Sequence, residues 1–186
     1  MEQSGKIKVR GNIRIEHSSG KVWESKNFVV NQGVHFVGDI LGGANTGTIY
    51  RMAIGDGGVD GLGARVLPDD TWYLKTGLVQ PAYSNDLTAP CVVTHDGQTT
   101  SLYFNHVFTG AENVSAMTDA SEVALVIGYG SSGILTGNNA VIMPNLVGPP
   151  VEVNYMFAYR TFEELALAPG SGDTITVHWT ILLENG

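Results

Sequence analysis

Residues 175–183 read Ile-Thr-Val-His-Trp-Thr-Ile-Leu-Leu. This run of β-branched, aromatic and aliphatic residues is the strongest strand signal in the chain. Residues 152–160, rich in Tyr and Phe, read as another strand. Val123–Ile127 is a continuous apolar run, the pattern of a strand buried on both faces. Val92–Thr94 and Thr99–Phe108 flank His95-Asp96-Gly97-Gln98, which predicts a hairpin around an Asp-Gly turn. Within it, Leu102, Phe104 and His106 share one face, with Tyr103 and Val107 on the other. Ile49–Ile54 and Ala140–Met143 add two shorter strands, and Thr76–Val79 a short extended piece.

Toward the N-terminus, Ile7, Val9, Ile13 and Ile15 alternate with charge over residues 5–17, with a glycine irregularity at Gly11. Ser18–Lys21 turns, and Val22–Glu24 with Phe28–Val30 return as the second arm of a hairpin. Val34, Val37, Ile40 and Leu41 recur at three and four, which predicts a short helix capped by Asn31 and ended by Gly42-Gly43. Phe162–Leu167 reads as one helical turn or a loop crossing. About eight strands at short spacing predict a mainly β domain, a sandwich or barrel-like sheet pair with one or two short helices and an N-terminal β-hairpin. Two parts follow: a hairpin or arm over residues 1–30, within the same domain or reaching a neighbour, and a sandwich body over residues 31–186.

The 186 residues fit one domain that can bury roughly 70% of its unfolded surface. Hydrophobic residues are 43% and charged ones only 15%, below the usual share. A surface that poor in charge points to a subunit covered by partners. The net charge of −8 repels phosphate backbones and argues against nucleic acid. No apolar run approaches the 18 residues of a membrane span. Four of the ten cations, Lys6, Lys8, Arg10 and Arg14, fall in the first fourteen residues and alternate with apolar residues, so they mark one face of a strand.

Motifs for chemistry are weak. Gly128-Tyr129-Gly130-Ser131-Ser132-Gly133 has the glycine spacing of a dinucleotide loop, but no helix follows to hold a pyrophosphate, so it reads as a turn. Asp56, Asp60, Asp69 and Asp70 sit in glycine-rich sequence that lacks calcium-loop spacing. The histidines, His17, His35, His95, His106 and His178, form no metal-ligand pair, and His178 reads as a satisfied core or interface residue. Cys91 is the only cysteine; it reads as a small apolar residue, with His95 as a nearby base to weigh against that. No catalytic residue, cofactor or metal is expected. Trp23, Trp72, Tyr73 and Tyr83 are either core edges or exposed rings for a protein or a sugar.

One set of motifs resembles a known family. Asn31-Gln32-Gly33, then Met52-Ala53-Ile54-Gly55-Asp56-Gly57-Gly58, Pro68 in a loop and Thr76-Gly77-Leu78 resemble the N-terminal module of phage tail-collar fibre proteins. Ser121-Glu122-Val123-Ala124-Leu125 and Val177-His178-Trp179-Thr180-Ile181 are similar to its later strands. The resemblance spans about residues 27–182 and implies a virion component, made in the host cytoplasm, that docks fibres at a tail, neck or baseplate. Neither a shaft nor a tip is expected from these residues, and residues 5–30 read as an extra hairpin, so a capsid decoration protein is the alternative. Partners implied are other virion proteins and copies of the chain in a trimer or hexamer. Lys6, Lys8, Arg10, Arg14, Trp23, Trp72 and Tyr73 are the expected interface residues, with residues 1–30 offering an edge strand to a neighbour. A carbohydrate-binding module using Trp72, Tyr73 and Tyr83 is a second class, and a hydrolase with a hidden carboxylate site a third.

Overall fold

A computed structural model describes residues 7–43, 48–67, 78, 81–87, 91–113, 115–128 and 155–185. Its strands are β1 (Ile7–His17), β2 (Val22–Lys26), β3 (Phe28–Val29), β4 (Thr48–Gly55), β5 (Pro81–Asp86), β6 (Val92–Asp96), β7 (Thr99–Thr109), β8 (Asp119–Gly128), β9 (Tyr155–Ala166) and β10 (Thr174–Asn185). One helix, α1 (Asn31–Leu41), follows β3. The strands form two antiparallel sheets of five, in the orders β2-β1-β10-β7-β6 and β3-β9-β8-β4-β5. Over the described residues the protein is mainly β, a sandwich with one short helix.

The core lies between the sheets. Ile13, Ile15, Phe104, Phe108, Ile175, Val177, Trp179 and Ile181 come from the first sheet. Met52, Ile54, Val123, Leu125, Ile127, Phe157 and Phe162 meet them from the second. The odd residues of β10 point inward, as period-2 geometry requires, and all four named are 2% exposed or less. Val123–Ile127 is buried on both faces, because Ala124 and Val126 join Ala53, Met156, Tyr159 and Leu78 in a second cluster.

Several expectations need correcting. The N-terminal hairpin ends at Lys26: Phe28 and Val29 leave it and pair with Tyr159 and Ala158 in the other sheet. Gly11 makes no irregularity, since β1 pairs with β10 without a break from Ile7↔Asn185 to His17↔Ile175. A Cβ there would collide with the Asn27 side chain and the Thr180 carbonyl, which explains the glycine. Residues 162–166 continue β9 as strand, with Ala120↔Leu165 and Asp119↔Ala166 pairs after a register shift. Val30, not Asn31, occupies the N-cap of α1, and it makes no side-chain cap bond. The helix buries Gly33 and Phe36 rather than the expected stripe, leaving Val34, Ile40 and Leu41 exposed. β5 was not expected; it opens on a proline, which suits the first residue of an edge strand. The β6–β7 hairpin stands, its turn made by Gly97-Gln98 with Gly97 at φ 58. Ala140–Met143, most of Thr76–Val79 and the glycine run beyond Gly128 lie outside the described residues.

Candidate functional site

β1 has partners on both sides, β10 and β2. Its odd residues Ile13 and Ile15 enter the core, so its even residues face outward. Register then puts Arg14 opposite His178 on one side and Glu24 on the other, with Asn12 opposite Thr180 and Lys26. Thr180 in turn lies opposite Tyr103 of β7. The outer face of the first sheet thus gathers polar side chains from four strands into an open groove of about 720 Å³.

The groove is held by a chain of contacts. The Tyr103 hydroxyl is hydrogen-bonded to His178 Nδ1 at 2.6 Å, and the two rings stack at 6.2 Å. His178 Nε2 lies 3.7 Å from Glu16 Oε1, an ion pair when the imidazole is protonated. Arg14 Nε donates to Glu16 Oε1 at 2.6 Å, and Nη1 donates to Glu24 Oε1 at 2.9 Å. The bond to Glu16, then that to Glu24, raises the Arg14 guanidinium above its ordinary pKa. Both carboxylates are therefore committed to Arg14. The groove offers a ring, an imidazole, hydroxyls and paired charges, the chemistry of polar recognition.

The expected interface residues separate. Lys8, Arg10 and Arg14 share the outer face of β1, where Arg10 pairs with Glu184 at 3.2 Å and Arg14 with two glutamates. The two arginines neutralise neighbours on their own sheet rather than standing free. Trp23 lies opposite Ile15 and faces inward, against Phe162 at 6.2 Å. Lys6, Trp72 and Tyr73 lie outside the described residues, as does the side chain of Tyr83. His178 proves to be a groove residue, and the buried histidine is His106, 5% exposed, edge-on to Phe108. Cys91 and His95 do not pair: the thiol reaches the Val92 carbonyl at 3.8 Å, and His95 Nδ1 is bonded to Thr100 Oγ1 at 3.0 Å.

Reasoning from sequence missed Tyr103, His178, Glu16 and Glu24 as a group. They lie on separate strands, and only the register of β1 with β10 and of β10 with β7 joins them. Alternation along each strand was the available signal, since it puts Glu16, His178 and Tyr103 opposite their core-facing neighbours. Among the described residues no three His, Cys, Asp or Glu side chains are grouped to hold a metal ion. No described helix is long and apolar enough to cross a membrane. No family model matches the chain, and no curated protein or solved structure matches it.

Proposed function

We propose that this chain is a structural component of a tailed-phage virion, a docking or adaptor subunit of tail, neck or baseplate that works by contact and not by catalysis. The observation that carries the reading is the edge of the first sheet. Among the described residues β6 pairs only with β7, and all five of its residues are exposed, the adjacent Val92 and Val93 at 53% and 52%. An apolar edge strand without a charge on its first three residues invites pairing with another chain. The exposed Val34, Ile40 and Leu41 of α1 add apolar surface of the same kind. The motif resemblance supplies the setting, and copies of the chain together with other virion proteins are the partners.

The test is Val93→Lys. It should reduce the mass by light scattering, or stop incorporation into particles, while the thermal midpoint stays unchanged. A wild-type monomer that associates with no virion protein would refute the reading. A capsid decoration protein is distinguished by electron microscopy of the particle. A second reading, a carbohydrate-binding module, is favoured by the groove, where the Tyr103 ring adjoins Asn12, Thr180 and Glu24. Glycan-array binding lost on Tyr103→Ala would select it.

A further inference from the structure

Trp23 sits where the two sheets part, on the edge strand β2. Two strands of the other sheet and one loop gather beside it. Arg160 extends from β9, between the core partners Ala158 and Phe162, and Phe28 comes from β3. Arg65 comes from the loop after β4, whose Val66 carbonyl is tied to β9 by the Thr161 hydroxyl at 2.8 Å. The Arg65 guanidinium carbon lies 5.4 Å and that of Arg160 5.7 Å from the Trp23 ring centroid. Arg160 also lies 5.2 Å from the Phe28 ring.

Neither arginine has a counter-ion among the described residues. Among the described residues no carboxylate stands at ion-pair distance from either, although the chain has 18 Asp and Glu against ten Lys and Arg. Arg160 is only 7% exposed. Its Nε is sealed from solvent without a hydrogen-bond partner, and so is the Nε of Arg65. Burial first, and repulsion from Arg65 second, push the Arg160 guanidinium down to about 10. Ring contacts offset part of such a desolvation penalty, but they do nothing for repulsion between like charges. In an acidic protein, two uncompensated guanidiniums against one indole are a local excess of positive charge. A planar, multi-donor guanidinium matches the oxygens of a carboxylate or phosphate.

We propose that Arg65 and Arg160, stacked on Trp23, form a binding site for an oxyanion, a carboxylate or phosphate group, at the open side of the sandwich. A cavity of about 250 Å³ shares the Trp23 wall and is lined also by Lys21, Val22, Glu163 and Leu165. The site does not depend on the virion reading.

The test is thermal unfolding of the full chain with sodium phosphate, succinate or a short oligoglutamate peptide, each against sodium chloride at equal ionic strength. The wild type should gain a saturable rise in midpoint with at least one of the three and none with chloride. Arg65→Gln should weaken the binding at least about tenfold. Arg160→Met should abolish it with little change in the ligand-free midpoint, because the ring contacts it loses are offset by removing a buried charge that has no carboxylate partner among the described residues. If Arg160→Met fails to fold, the more exposed Arg65→Gln decides the site alone. Phosphate alone acting identifies a phosphoryl ligand; oligoglutamate outcompeting succinate identifies the carboxylates of a protein partner. Equal responses in wild type and Arg65→Gln, or no response beyond chloride, would overturn the site.

Discussion

Gly58 lies so close to Ser121 that a Cβ on the glycine would overlap the Ser121 carbonyl, and its N–H donates to the Ser121 hydroxyl at 2.9 Å. Next to it the Gly57 N–H donates to Glu122 Oε1 at 3.3 Å. The turn after β4 is thereby fastened to β8 by two neighbouring residues on each side. Gly-Gly and Ser-Glu are one junction written in two places in the sequence. Gly58→Ala should cost about 2–4 kcal/mol, from overpacking and the displaced donor. Gly38→Ala, in α1 with open space around it, should gain about 0.5–1 kcal/mol. Urea midpoints at constant m-value check both. A Gly58→Ala protein as stable as the wild type would mean that the turn does not press on β8.

The other oxygen of Glu122 accepts the Tyr159 hydroxyl at 2.6 Å, and both residues are fully buried. Tyr159→Phe keeps the ring and removes one donor from a buried carboxylate, so a loss of about 1–3 kcal/mol is expected. Burial, the Glu122 charge and the hydrogen bond together raise the phenol pKa far into the alkaline range. An unfolded tyrosine ionises near 10. Below that pH both states hold the proton and the group adds no pH dependence. Above it the unfolded chain releases a proton that the folded chain keeps, so stability falls as pH rises. Between about pH 9 and 11 the wild type should lose stability more steeply than Tyr159→Phe. Parallel slopes would contradict the raised pKa.

Cys91 should be a poor nucleophile. Burial pushes its thiol up, against a smaller opposing effect of the hydrogen bond with the Tyr103 backbone, and His95 is engaged with Thr100. Alkylation by iodoacetamide near neutral pH should run several-fold slower than that of glutathione, and His95→Ala should leave the rate unchanged. A fast reaction that His95→Ala slows would restore the Cys–His pair.

The fold was legible where pattern and packing agree. Ile175, Val177, Trp179 and Ile181 announce a strand because each faces the core, and Val123–Ile127 has no polar break because both its faces are covered. It was illegible where tertiary pairing overrides local preference. Phe162–Leu167 carries helix formers, yet β8 draws it into the sheet through Ala120↔Leu165. On α1 four apolar residues marked a stripe, but Phe36 meets Phe157 edge-on and sets the buried side instead. The charged face of β1 was legible from alternation, while its partners Glu24, Glu184 and His178 needed the register. The Arg65–Trp23–Arg160 cluster left no sequence signal at all, since it joins a loop and two strands at separations that no spacing rule covers.

The register of β1 also decides what the N-terminus is for. Pairing with β10 over eleven residues and with β2 on its other side makes β1 an interior strand, with Ile13 2% and Ile15 0% exposed. An arm that only reached a neighbour would be dispensable for folding. Here removal of residues 1–26 strips the first sheet of two strands and opens the core beside Trp179. Truncating one buried isoleucine to alanine costs about 2–5 kcal/mol, and a whole domain is stable by only about 5–15 kcal/mol. The truncated chain should therefore show no cooperative thermal transition and no dispersed amide spectrum. Arg10→Ala with Arg14→Ala, on the exposed face of the same strand, should leave the thermal midpoint nearly unchanged, because exposed ion pairs contribute little. A truncated protein that still melts cooperatively would make the first strand a detachable arm after all.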